Sequence, residues 1–139
     1  DLGDCIVAKP DRCDCGNPLP AIRVEGRCDD VLLVRGTDGS VVRLLPLALT
    51  TVVEEATHEH RFQIVQTAPD RLMLRLDPCD YDARYAIARA AAAALRNYLA
   101  QQSLANVQVK LDRRGPSVDH RSGKLKEVIV EMAPSNMNA

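Results

Sequence analysis

Tryptophan is absent from the 139 residues, phenylalanine occurs once (Phe62), and aromatics make up only 3% of the chain. The core must therefore be aliphatic, and the aromatic platforms on which single-stranded nucleic acids stack are missing. Neither sign of charge dominates: 18 Lys+Arg against 19 Asp+Glu leave a formal net charge of -1. That balance argues against a nucleic-acid module, which concentrates positive charge. No apolar run approaches the ~18 residues of a membrane span. The P-loop, the dinucleotide fingerprint and the Gly-x-Ser-x-Gly elbow are all lacking. There is no initiator Met, and Asp1-Leu2-Gly3-Asp4 does not resemble a signal peptide. The chain reads as a stretch of something longer. A hydrophobic fraction of 46% with 27% charged residues is that of an ordinary globular protein.

Cysteine is present but awkwardly placed. Cys5, Cys13, Cys15 and Cys28 crowd the first 28 residues, and Cys79 stands alone. An odd number so distributed is a poor disulfide framework and favours a reducing, cytoplasmic setting. Two readings stay open for the cluster: thiols held without a metal, or a structural zinc on Cys5, Cys13, Cys15 and Cys28. A single residue between Cys13 and Cys15 is tighter than most zinc knuckles use. Histidine offers a second metal candidate. His58 and His60 precede a strand at i and i+2, the spacing at which strand side chains point the same way.

Periodicity supplies the element order. Ile22–Glu25 alternates as a strand. Val31–Val34 and Val41-Val42 flank Asp38-Gly39, a hairpin signal because Gly accepts the positive φ of the turn. Pro46 can open a short helix carrying Leu49, Val52, Val53 and Ala56 on one face. Arg61–Gln66 and Arg71–Leu76 alternate around Ala68-Pro69-Asp70, an antiparallel pair with Arg71 and Arg75 facing solvent. Tyr81, Tyr85, Ala88, Ala92, Leu95 and Leu99 form one stripe of a long helix over 81–102, with Asp80 as its cap. Val107–Leu111 and Val128–Val130 are the last strands, separated by a polar loop, and the tail from Pro134 frays. The expected fold is α+β: a small, mostly antiparallel sheet with a β-hairpin, and one long and one short helix packed on one side.

Three short motifs remain: Asp1-Leu2-Gly3-Asp4, Gly26-Arg27-Cys28-Asp29-Asp30 and Arg121-Ser122-Gly123-Lys124-Leu125. In this order they resemble the C-terminal end of adenylate-forming ligases. The stretch Cys13-x-Cys15-Gly16, with Pro18, Pro20 and Ile22 before Gly26-Arg27-x-Asp29-Asp30-x-Leu32, is similar to the phenylacetate–CoA ligase and CapK-like branch. The resemblance covers essentially the whole chain but only about the last third of such an enzyme.

What it implies is specific. Residues 1–25 would end a large adenylation domain, the rest of which lies upstream, and 26–139 would be the lid. Asp4 matches the aspartate that accepts hydrogen bonds from the ribose hydroxyls. Arg27 matches an arginine that reaches the nucleotide with its planar fork. Asp29 matches the hinge about which the lid turns. Lys124 matches the lid lysine that enters the active site for adenylation. ATP with Mg²⁺ and a small, aryl or arylacetic carboxylic acid would be substrates. The acceptor would be a thiol, of CoA or of a carrier protein. The isolated segment would be inactive, and homodimerisation is compatible with the family. Here Gly36–Pro46 is longer than the family's corresponding segment, and Cys28 replaces a small hydroxyl or apolar residue. The longer segment, which in the family helps form the thiol channel, leaves CoA and carrier protein open as acceptors. A contrasting reading is a free-standing α+β binding module built around the cysteine zinc, with no catalysis.

Overall fold

The computed structural model describes residues 4–8, 15–17, 19, 21–27, 30–77, 81–120 and 123–132. Two compact units divide the chain: Asp1–Cys28 with Val118–Lys124, and Asp29–Ser117 with Leu125–Ala139.

In the first unit, β1 (Asp4–Ala8) and β2 (Ile22–Arg27) form an antiparallel ribbon. The second strand runs on through Gly26-Arg27, two residues beyond the alternating Ile22–Glu25 segment. A bulge between Cys5 and Ile6 shifts the register, so that Cys5 lies opposite Gly26 and Ile6 opposite Val24.

The second unit is α+β, as the periodicity predicts. A hairpin joins β3 (Leu32–Arg35) to β4 (Val41–Leu44). Its turn depends on Gly39, at φ +80°, and on the Asp38 carboxylate, which accepts from the Ser40 amide and hydroxyl. Helix α1 (Pro46–Thr57) starts on Pro46, where a missing N–H costs nothing. It ends at His58, whose left-handed backbone (φ 57°) lets its amide bond the Glu54 carbonyl. The α1 face that reaches the core is Leu49, Thr50 and Val53, with Val52 at its margin; Ala56 is exposed.

Four strands form the main sheet in the order β7-β6-β5-β8. The centre is the antiparallel pair β5 (Phe62–Ala68) and β6 (Arg71–Leu76). The outer strands, β7 (Gln108–Leu111) and β8 (Val128–Val130), each join in parallel. Parallel pairing of β6 with β7 needs a long crossover, which is helix α2 (Tyr81–Gln101).

Phe62, Ile64, Leu72, Leu74 and Leu76 cover one face of the central pair. They pack with Leu49 and Val53 of α1, with Ala88, Ala91, Leu95 and Leu99 of α2, and with Leu32, Val34 and Leu44 of the hairpin. Ala91 rather than Tyr85 completes the α2 stripe, and Tyr85 is 57% exposed. The alanines allow close approach of helix to sheet, and aliphatic side chains fill the space left by the missing aromatics. The hairpin is fastened by polar bonds as well: the Arg35 amide donates to the Pro69 carbonyl, and Gln66 Nε2 donates to the Leu33 carbonyl at 2.6 Å.

Asp80, Cys79 and the tail from Pro134 lie outside the described residues.

Candidate functional site

The ribbon puts Asp4 and Arg27 on one rung: they are register partners across β1 and β2. Sequence alone separates them by more than twenty positions. Lys124 belongs to the same compact unit, on a tight turn. The Asp119 amide donates to the Lys124 carbonyl, and the Gly123 amide donates to the Asp119 carbonyl, both at 2.8 Å. Gly123 makes this turn at φ +67°, a conformation in which a Cβ is disfavoured even where space is open, as it is here. Gly123 and Lys124 are exposed. Arg121 and Ser122 lie outside the described residues, as does Asp29.

Within the second unit, β5 carries a polar side chain that reaches two backbone carbonyls. Gln63, on β5, is 1% exposed. Its Nε2 donates to the Ser117 carbonyl at 3.2 Å and to the Lys126 carbonyl at 2.8 Å. One buried amide thus joins Ser117 and Lys126, both in the second unit. Asp30 is fastened to β8 in the same manner. Its amide donates to the Val128 carbonyl, its Oδ2 accepts from the Val130 amide at 3.0 Å, and its Oδ1 lies 3.9 Å from Lys126 Nζ.

Gln63 in turn rests on Arg75, and here the expectation from alternation fails. Arg75 is 2% exposed rather than solvent-facing. Its Nη1 donates to Gln63 Oε1 and Glu131 Oε1, its Nη2 to Glu131 Oε2, and its Nε to Asp112 Oδ2, all within 3.0 Å. Arg114 closes the group with a 2.8 Å ion pair from Nη2 to Asp112. The bonds to Glu131 hold the Arg75 guanidinium above its ordinary pKa despite desolvation. Burial pushes the Asp112 carboxyl up, but hydrogen bonds from the Arg114 side chain and backbone and from Arg75 outweigh it and bring it to about 2. Glu131 is lowered too, chiefly by its hydrogen bonds from Arg75. A buried guanidinium with two carboxylates is costly to desolvate and is stable only when its donors are satisfied. An arginine inside central strand β6, with acids just beyond the ends of β7 and β8, is the sequence signal for this network.

The metal candidates fare differently. His58 is the residue that ends α1, and His60 places Nδ1 3.3 Å from Glu54 Oε1, so neither sits on the strand that would align them. Cys5 lies on β1, Cys15 is exposed, and Cys13 and Cys28 are outside the described residues. Among the described residues no group of three His, Cys, Asp or Glu could hold a metal ion. Among them, too, no helix is long and apolar enough to cross a membrane.

No model of a known protein family matches the chain, and no curated protein matches it. The class it defines is an α+β protein with a two-stranded ribbon, a hairpin and a four-stranded mixed sheet.

Proposed function

We propose that this chain is the C-terminal part of an adenylate-forming acid–thiol ligase, similar to phenylacetate–CoA ligase, acting in the cytoplasm. The single observation that carries the reading is the pairing of Asp4 with Arg27 on one rung, within the unit that also holds the Lys124 turn. Three residues that the resemblance assigns to nucleotide chemistry, from motifs far apart in sequence, thus share one compact unit.

The residue types suit the task. An aspartate can accept from both ribose hydroxyls, and an arginine fork can donate to phosphate or ribose oxygens. In the first half-reaction a carboxylate oxygen attacks the α-phosphorus of ATP, and the bond to pyrophosphate breaks. Two anions meet and charge builds on the phosphoryl oxygens. A lysine cation about 4 Å away contributes of order 4 kcal/mol at the dielectric of a protein surface, before its own desolvation is counted. Mg²⁺ would neutralise the triphosphate alongside it. In the second half-reaction the thiolate of CoA or of a carrier protein attacks the acyl carbon and AMP leaves. The lid must turn between the halves, and Asp29, next to the β8-anchored Asp30, is the assigned hinge.

The test uses the complete polypeptide that carries this segment. Asp4→Ala and Arg27→Ala should each weaken ATP binding at least tenfold, read by calorimetry with a non-hydrolysable ATP analogue. Unchanged affinity in both variants would remove the nucleotide role from this rung. The isolated 139 residues should show no acid-dependent ATP–pyrophosphate exchange, and substantial exchange would contradict the assignment to a lid fragment.

A further inference from the structure

Strand β7 forms one edge of the four-stranded sheet. The Gln108 amide donates to the Asp70 carbonyl and the Asp112 amide to the Leu74 carbonyl, each at 2.8 Å. Positions 108, 110 and 112 therefore turn their backbone groups toward β6, and Val109 and Leu111 turn theirs outward. Arg96 of α2 already marks this edge: its Nη2 donates to the Val109 carbonyl at 2.9 Å. Alongside runs a groove of about 780 Å³ between α2 and β7, floored by alanines such as Ala88 and Ala92. It continues past Arg96, Val109 and Lys110 into a second recess of about 620 Å³.

The charge of this groove is one-sided. Arg89, Arg96 and Lys110 line it, and no acidic residue among the described ones does. Arg89 and Arg96 are seven residues apart, two helical turns, and so share a stripe about 10 Å long. At one end a smaller recess adds Arg84 and Arg113. Its one acid, Asp112, is already engaged by Arg75 and Arg114. Arg84 presents Nε and Nη2 buried without a hydrogen-bond partner. The cations gather here in a chain whose net charge is -1.

We propose that the α2–β7 groove docks an extended acidic segment of a partner polypeptide, which adds to β7 as a fifth strand. Outward backbone groups call for a strand, and the cations call for acidic side chains on it. Leu111 (44% exposed) and Tyr85 offer apolar contact between the charges. Arg96 exchanges the Val109 carbonyl for a partner carboxylate and so releases that carbonyl to the incoming strand. A second copy of the chain is a poor occupant, because β7 against β7 would bring Arg96 and Lys110 against their own counterparts. The inference is independent of the proposed ligase activity.

The test is fluorescence anisotropy on the full chain with a labelled eight-residue peptide of alternating Glu and Val. Saturable binding is expected. It should weaken at least tenfold for R89E/R96E, whose melting temperature should stay close to the parent's. It should weaken at least tenfold for a peptide N-methylated on alternate residues, which keeps its charge but loses its strand bonds. A Lys–Val peptide should not bind. No saturable binding of the Glu–Val peptide to the parent chain would overturn the proposal. So would equal binding of the N-methylated peptide or of single-stranded DNA, either of which would reduce the groove to a polyanion surface. Concentration-dependent dimerisation by sedimentation that R89E/R96E abolishes would assign the groove to self-association instead.

Discussion

The central strand pair buries an aliphatic face and, behind it, one polar rung by opposite means. Toward the helices, Phe62 sits across from Leu76 and Ile64 across from Leu74 in a dry aliphatic layer. On the far face the rung between them is Gln63 across from Arg75, equally shielded and wholly polar. The aliphatic face is held by area and shape, which many sequences can supply. The polar face is held by directional bonds that only one arrangement satisfies. It therefore does something the aliphatic face cannot: it fixes particular backbone atoms, the carbonyls of Ser117 and Lys126.

The sharpest contrast between the faces comes from truncation. Phe62→Ala should cost about 3–5 kcal/mol, as a lost aromatic in a closed core does, and Leu95→Ala about 2–5 kcal/mol. Urea unfolding of both variants measures this. Arg75→Leu should come next, at about 3 kcal/mol, because it strands Asp112 and Glu131 without their shared donor. Removing Gln63, Arg75 and Asp112 together in favour of aliphatic residues should cost less than the sum of the single changes. Additive losses would mean that the polar face is three separate contacts and not a network.

Acid should attack one face only. The Asp112 carboxyl is held at about 2 in the folded chain against an ordinary 3.8, and Glu131 is lowered as well. A group depressed on folding stabilises fully above its unfolded pKa and loses that contribution as pH falls through the folded value. Stability should therefore decline as pH drops from about 4 toward 2, and Asp112→Asn should flatten that decline. A parallel curve for the variant would detach Asp112 from acid sensitivity. The smallest effects belong to the turn itself. Gly123→Ala should cost about 1 kcal/mol through its positive φ, and Lys124→Ala less than ~0.5 kcal/mol. Both are measurable as shifts in melting temperature.

Much of the aliphatic face was legible in the sequence because it obeys simple periods. Leu72, Leu74 and Leu76 alternate, and Ala88, Leu95 and Leu99 recur at helical spacing. The Asp38-Gly39 turn and the Pro46 helix start were legible for local reasons of φ and missing donors. Arg75 was not, because alternation says which residues share a face but not what covers it. Its partners lie 37 and 56 residues further on, past a helix and a loop. Tyr85 misled in the opposite sense: it lies at the margin of the α2 stripe, on the side of the open groove beside β7, and stays exposed. The Asp4–Arg27 rung shows the same limit, since register is set by a bulge at Cys5 that no local pattern announces.

In the proposed ligase, the Lys124 turn delivers a cation to adenylation alone. Lys124→Ala in the complete polypeptide, assayed in each half-reaction separately, tests it most directly. Loss of ~3–4 kcal/mol of transition-state stabilisation should slow acyl-adenylate formation by roughly two to three decades. Thioester formation from a pre-made acyl-adenylate should be nearly unchanged. Adenylation at the parent rate, or an equal fall in both halves with an unshifted melt, would remove Lys124 from that role.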